Sequence, residues 1–227
     1  MALYAIYAHY ESFDMKIFSH FLFSLLLASG FTVNAYAADE APDQLIKRLS
    51  QEILDTAKAD KEIQAGNQKR VYDLVESKVL PYIDFSRMTS LAAGKSWREA
   101  SPEQQKQLTN EFRTLLVFTY SGAISQIKDQ RLEFKPFRGL PDDTEVEVRS
   151  QVIQARGEPV QLSYRLAKSA TGWKIYDINV LGAWLVETYK GSFSAEISKS
   201  GIDGLIKALV EKNKKLAAAG ATKTAAK

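Results

Sequence analysis

Residues 145–181 read EVEVRSQVIQARGEPVQLSYRLAKSATGWKIYDINVL. Val146, Val148, Ser150 and Val152 fall on one side of an extended chain and Glu145, Glu147, Arg149 and Gln151 on the other, because successive strand side chains point to opposite faces. Past Gly157-Glu158-Pro159 the alternation resumes, with Val160, Leu162, Tyr164 and Leu166 set against Gln161, Ser163 and Arg165. Ala170-Thr171-Gly172 then leads into a run from Trp173 to Leu181. Upstream, Leu132, Phe134 and Pro136 alternate with charged residues ahead of the turn Gly139-Leu140-Pro141-Asp142-Asp143. Short turns between alternating runs predict a four-stranded antiparallel meander with one wet face.

Helical patterns flank this meander. Pro42 suits a first helical position, and Leu45, Ile46, Leu49, Ile53, Leu54 and Ala57 recur at helical spacing until Gly66. Asn67 is a good N-cap for a second helix through Val71, Leu74, Val75 and Val79, which closes at Leu80-Pro81. Asp84 can cap a short helix carrying Phe85, Met88 and Leu91. Ser101-Pro102-Glu103-Gln104 is a capping box, and it opens a stripe of Leu108, Phe112, Leu115, Leu116, Tyr120, Ile124 and Ile127. After the strands, Trp184, Leu185, Thr188, Tyr189 and Phe193 form one helical run, and Ile202, Leu205, Ile206, Leu209 and Val210 another. Residues 216–227, rich in alanine, read as a flexible tail. This order predicts an α+β fold in which about six or seven helices wrap one face of a curved sheet and can leave a conical space beneath them.

The first 37 residues read as an extension plus a signal peptide. Met15-Lys16 gives a charged start, Ile17 to Leu27 an apolar run and Ala35-Tyr36-Ala37 a small-x-small cleavage site. Glu11 and Asp14 do not suit a signal n-region, so Met15 is the expected start. Cleavage before Ala38 leaves residues 38–215 as a single domain ahead of the tail. Losing Lys16, Glu11 and Asp14 takes Lys+Arg from 30 to 29 and Asp+Glu from 27 to 25, a net charge of +4. With basic residues interspersed among acids, that excess is no nucleic-acid footprint.

Both histidines, His9 and His20, leave with the leader, and the chain has no cysteine. A Ser-His-Asp triad, a cysteine nucleophile and a histidine-bearing zinc site are therefore excluded from the mature chain. No cofactor motif stands out. The enzymatic alternative is an NTF2-like active site in which Asp177, inside an apolar strand, works with a tyrosine on a small apolar substrate. The structural alternative has Asp177 bonding backbone or a neighbouring arginine. The aromatic stripes, Phe85, Trp97, Phe112, Tyr120, Phe134, Tyr164, Trp173, Tyr176, Tyr189 and Phe193, either fill a solid core, as in a structural adaptor, or line a ligand cavity. Trp184 is either an interfacial anchor or a packed corner residue.

Three strings, Asp84-Phe85-x-x-Met88, Gly94-x-x-Trp97-Arg98-x-Ala100-x-Pro102-x-Gln104 and Glu111-Phe112-x-x-Leu115-Leu116-x-x-x-Tyr120, carry a resemblance. Together with Trp173-Lys174-Ile175-Tyr176-Asp177-Ile178, Gly182, Leu185-Val186, Tyr189, Phe193 and Gly201-Ile202-Asp203-Gly204-Leu205, the sequence resembles the MlaC family of toluene-tolerance or ABC-transporter auxiliary proteins. The resemblance implies a cystatin/NTF2-like shape with an apolar cavity and a soluble, non-enzymatic periplasmic carrier. Such a carrier shuttles a glycerophospholipid between an outer-membrane lipoprotein complex and an inner-membrane ABC transporter complex with a substrate-binding membrane subunit. Assigned by face, the tail-facing wall is expected to be Phe85, Met88, Leu91, Leu116 and Tyr120 from helices, Val148, Val152, Leu162, Tyr164 and Leu166 from strands, and Leu185, Tyr189 and Phe193 from the closing helix. A pocket for tails should fall in the range of about 300–1,000 Å³.

Overall fold

Antiparallel pairing joins β1 (Arg131–Phe134), β2 (Glu145–Ile153), β3 (Val160–Ser169) and β4 (Gly172–Val180) in chain order, and β5 (Ala183–Trp184) adds to the β4 edge. The computed structural model describes residues 40–225, with side chains through residue 219. The signal peptide, its cleavage site and the start at Met15 lie outside the described residues. The fifth strand corrects the four-strand expectation. It forms because Leu181 and Gly182 both take positive φ (53° and 91°), the two-residue turn whose twist matches a hairpin. Leucine does not announce that conformation in a sequence. Asn179 Oδ1 accepts from Gly182 N at 2.9 Å and holds the turn.

Register follows the alternation until the middle of β4. Leu166 faces Ile175, but Arg165 faces Asp177, so Tyr176 is an extra residue. Such a bulge leaves two consecutive side chains on one face. Upstream of it Trp173 and Ile175 point inward, and downstream of it Ile178, opposite Tyr164, and Val180, opposite Leu162, do so. Tyr176 and Asp177 lie on the outer face. There the Tyr176 hydroxyl donates to Glu145 at 2.9 Å, Arg87 pairs with Glu145 at 2.6 Å, and the Arg87 guanidinium covers the Tyr176 ring at 3.8 Å.

Among the described residues the helices are α1 (Pro42–Ala59), α2 (Lys61–Gln64), α3 (Gln68–Lys78), α4 (Phe85–Ala93), α5 (Pro102–Tyr120) and α6 (Leu185–Ala225), with 3₁₀ turns at Leu80–Tyr82, Gly94–Arg98 and Ser121–Gln126. Pro42 starts α1 without a side-chain cap, and the starts of α2 to α5 are set by side chains that accept from otherwise unpaired backbone N–H groups. Asn67 accepts from Arg70 N, Asp84 from Arg87 N, and Ser101 and Gln104 form the full capping box. Two predicted helices are shorter than their apolar stripes. The first stops at Ala59, because Asp60 takes an extended conformation and accepts from Glu62 N and Ile63 N to start α2. The stripe through Ile127 leaves α-helical geometry at Tyr120 and tightens into the 3₁₀ turn Ser121–Gln126. The alanine-rich end, expected as a flexible tail, is helical as far as Ala225, in keeping with alanine's high helix propensity. No helix of the described residues is long and apolar enough to cross a membrane.

Helix α6 is broken at Gly201, whose φ of 71° and ψ of −176° are open only to glycine at low cost. The break lets Leu185, Val186 and Phe193 from the first half and Leu205, Ile206 and Leu209 from the second pack into one cluster with Phe112 and Leu115 of α5. Gln104 Nε2 donates to Asp203 Oδ1 at 2.7 Å, tying the second half to the start of α5. A second cluster sets Leu45, Ile46 and Leu49 of α1 on Val148, Leu166, Trp173 and Ile175 of the sheet. A third joins Ala57, Ile63, Val71 and Leu74. Gly201→Ala should therefore lower the thermal midpoint by several degrees, on the order of 1–3 kcal/mol, as read by circular dichroism melting.

Candidate functional site

Between these clusters the side chains leave a cavity of about 260 Å³. Its wall is almost wholly apolar. α1 contributes Ile53, α3 contributes Val75, and the connection to α4 contributes Val79, Leu80 and Ile83. Phe85 and Met88 come from α4, Leu116, Val117 and Tyr120 from α5, and Ser121 and Ile124 from the 3₁₀ turn after it. Ile178 and Val180 of β4 and Leu185 of α6 complete it. The volume falls just below the range of about 300–1,000 Å³ expected for a tail pocket.

Of the wall residues expected from sequence, the structure brings together Phe85, Met88, Leu116, Tyr120 and Leu185. The other eight lie elsewhere. Leu91 is on the outer side of α4 and is 40% exposed. Val148 and Leu166 are buried under α1, and Tyr164 packs against the same cluster. Helix α1 fills the space over that half of the sheet, so these strand residues meet protein. Val152 and Leu162 are half-buried on strands near the β2–β3 hairpin and off the cavity wall. Tyr189 and Phe193 stack edge-on against Phe112, each with ring centroids 5.0 Å away, and so belong to the solid seam between α5 and α6. Alternation alone could not find Ile178 and Val180, which reach the cavity only because of the bulge. Ile53 and Val75 sit on recognisable helix stripes, but nothing local says which stripe meets a hollow.

Asp177 is not on this wall. It is buried on the outer face, where Oδ1 accepts from Val186 N at 3.0 Å and from Ile178 N at 2.9 Å, and Oδ2 lies 3.6 Å from Arg165. Its carboxylate thus anchors the N-terminus of α6, where a negative charge is favoured. Burial raises its pKa above the usual carboxylate value, and the hydrogen bonds from Val186 and Ile178 offset only part of that. The Arg165 guanidinium covers the Trp184 ring at 3.8 Å, so Trp184 is a packed corner residue.

A family model described as "MlaC protein" matches residues 47–211. The chain belongs to the MlaC family. It is 22% identical over 188 residues to the intermembrane phospholipid transport system binding protein MlaC of Haemophilus influenzae, an alignment covering 82% of this chain and 88% of that protein. With the toluene tolerance protein ttg2D of Pseudomonas putida it shares 24% identity over 180 residues, covering 79% and 83% of the two chains. It also resembles the phospholipid-binding protein of Ralstonia solanacearum, solved in complex with a phospholipid, with 45% identity and a TM-score of 0.74 over 79% of this chain and 99% of the other. Within this MlaC-family fold Asp177 has a structural task, and two substitutions separate its charge from its hydrogen bonding. A group whose pKa is raised on folding contributes stability below its unfolded pKa and loses it as pH rises through the folded one. Asp177→Asn, which keeps an acceptor, should match or exceed the native stability at pH 7, with the difference shrinking below about pH 4. Asp177→Ala, which strands two N–H groups, should lose roughly 1–3 kcal/mol in urea unfolding at pH 7.

Proposed function

We propose that this chain is a soluble, non-enzymatic periplasmic carrier that binds a glycerophospholipid by its acyl chains within the single domain 38–215. It shuttles that lipid between an outer-membrane lipoprotein complex and an inner-membrane ABC transporter complex, helping to maintain outer-membrane lipid asymmetry. The observation that carries this reading is the apolar cavity, in a member of a family whose relatives are named for phospholipid transport and whose Ralstonia solanacearum neighbour was solved with a phospholipid. Two acyl chains carry about 30 methylenes, and exposing them to water would cost on the order of 25 kcal/mol. A carrier must therefore cover nearly all of the tails. A wall without a carboxylate, lysine or arginine does this with no charge of its own to desolvate. Direction is not encoded in such a wall, because affinity alone does not bias transfer.

Size is the demanding part. An acyl chain spans half a bilayer's hydrocarbon core, about 15 Å, and a cavity of about 260 Å³ is small for two such chains. Ile83 and Ile178 pack against both the α5–α6 cluster and the α1–sheet cluster and also line the cavity. The hollow thus follows a seam between two solid blocks, and widening it moves the blocks apart without dismantling either. Met88, unbranched and flexible, suits a wall that meets chains of varied shape.

Organic extraction of the protein purified from its native compartment, followed by mass spectrometry, should find about one phospholipid per chain; a lipid-free protein that also fails to load from vesicles would overturn the carrier reading. Val180→Trp, which puts an indole into the hollow, should reduce loading at least tenfold while the far-UV spectrum and thermal unfolding of the stripped protein stay cooperative.

A further inference from the structure

The hollow is divided from the surface most thinly between α3 and α5. Val75 and Val79 line it from α3 and the residue just after it, and Leu116 and Val117 line it from α5. On the outer side of the same seam Tyr72, Glu76, Arg113, Thr114, Val117 and Phe118 border a groove of about 310 Å³. Val117 belongs to both walls, so at that point a single side chain stands between groove and hollow.

The buried clusters leave this seam unfilled. Among the described residues they pack α5 with α6 and α3 with Ala57 and Ile63, and none of them spans α3 and α5. The contacts that cross the seam lie on its outer side. The Tyr72 and Phe118 rings meet edge-on with centroids 5.2 Å apart, the Tyr72 hydroxyl reaches Ser121, and one turn along α3 Glu76 pairs with Arg113. That ion pair is open to water, its side chains 36% and 58% exposed, and such pairs add little to stability. An edge-on ring contact is modest as well. Turns join both ends of α3: Gly66, with φ 86°, stands before its cap, and the 3₁₀ turn Leu80–Tyr82 follows it. Loop and element-terminal positions of this kind can absorb a change of angle. Beyond Phe118, Ile124 packs on the cluster around Val71 and keeps that end of the seam joined, so parting is widest toward Glu76 and Arg113.

Resting on the carrier reading above, we propose that the α3–α5 seam is a side port through which acyl chains enter and leave the hollow, latched by Tyr72 on Phe118 and by Glu76 on Arg113. Chains lying along the two helices pass sideways between Val75 and Val117, and the headgroup stays in water throughout, so no charge crosses the apolar wall. The same movement enlarges the hollow, because the side chains that part are its own wall. A port here therefore admits the chains and makes room for them in one step, which suits a resting volume of only about 260 Å³.

The chain has no cysteine, so Glu76→Cys and Arg113→Cys introduced together supply a unique pair of thiols at exposed positions. One sample is bridged with bismaleimidoethane and the other is capped at each thiol with N-ethylmaleimide. Loading from, and release to, phosphatidylethanolamine–phosphatidylglycerol vesicles are followed with a phospholipid carrying a fluorescent chain. Bridging the empty protein should slow loading by about tenfold or more relative to the capped sample, and bridging the loaded protein should slow release as much, as for a gate tied shut. Phe118→Ala, which removes the ring contact, should speed release about two- to tenfold. Bridged and capped samples carry the same substitutions, so damage to the fold is common to both and does not enter their ratio. Equal rates in the two samples, or release from Phe118→Ala no faster than from the native protein, overturn the port and leave the carrier reading standing. Failure of the native protein to take up lipid overturns both.

Discussion

The structure depends on keeping a hydrocarbon-lined space from closing. Lining atoms that lack packing partners forgo dispersion contacts, so a hollow of about 260 Å³ walled by hydrocarbon weakens the core around it. The rest of the fold holds the walls apart. Packing is concentrated in solid blocks around the hollow: aromatic rings between α5 and α6, leucines of α1 on the sheet, and a smaller knot around Val71. On the outer face, Arg87, Glu145 and Tyr176 tie α4 to the strands, and Asp177 ties α6 to β4.

The same division keeps the most prominent acid of the sequence off the cavity wall. Chemistry of the Asp-and-tyrosine kind would need the carboxylate inside the hollow. Here the bulge at Tyr176 turns Asp177 outward, where Oδ1 accepts from two backbone N–H groups and Oδ2 lies beside Arg165. The acid that stands out most in the sequence thus serves the architecture.

Much of the fold was legible because it is written in short-range chemistry. Alternating valines and glutamates marked β2, prolines and caps marked the starts of α1 and α5, and strings around Trp97 and Gly201 carried the family likeness. The wall was legible only in part, since periodicity tells which face of an element is buried but not what buries it. Val148 and Leu166 were assigned to the right face and found α1 above them; Phe85, Met88 and Leu116 were assigned in the same way and found space. Which of the two happens depends on how helices far apart in sequence cross the sheet. Ile178 and Val180 were missed for a different reason, because a one-residue irregularity reverses the pattern, and Leu181 hid the turn that makes β5.

That irregularity has a consequence for how the strand tolerates change. β4 runs in two phases: its first half keeps step with the part of the sheet under α1, and its second half keeps step with the hollow. Tyr176 is the one residue of the strand that pairs with nothing across β3, so its loss would leave Asp177 opposite Arg165, Ile178 opposite Tyr164 and Val180 opposite Leu162, and the wall of the hollow would keep its phase. What would go is the clasp outside: the hydroxyl on Glu145 and the ring beneath the Arg87 guanidinium. Loss of a residue that does pair, anywhere from Asp177 to Val180, is the damaging event, because it turns the side chains beyond it to the opposite face.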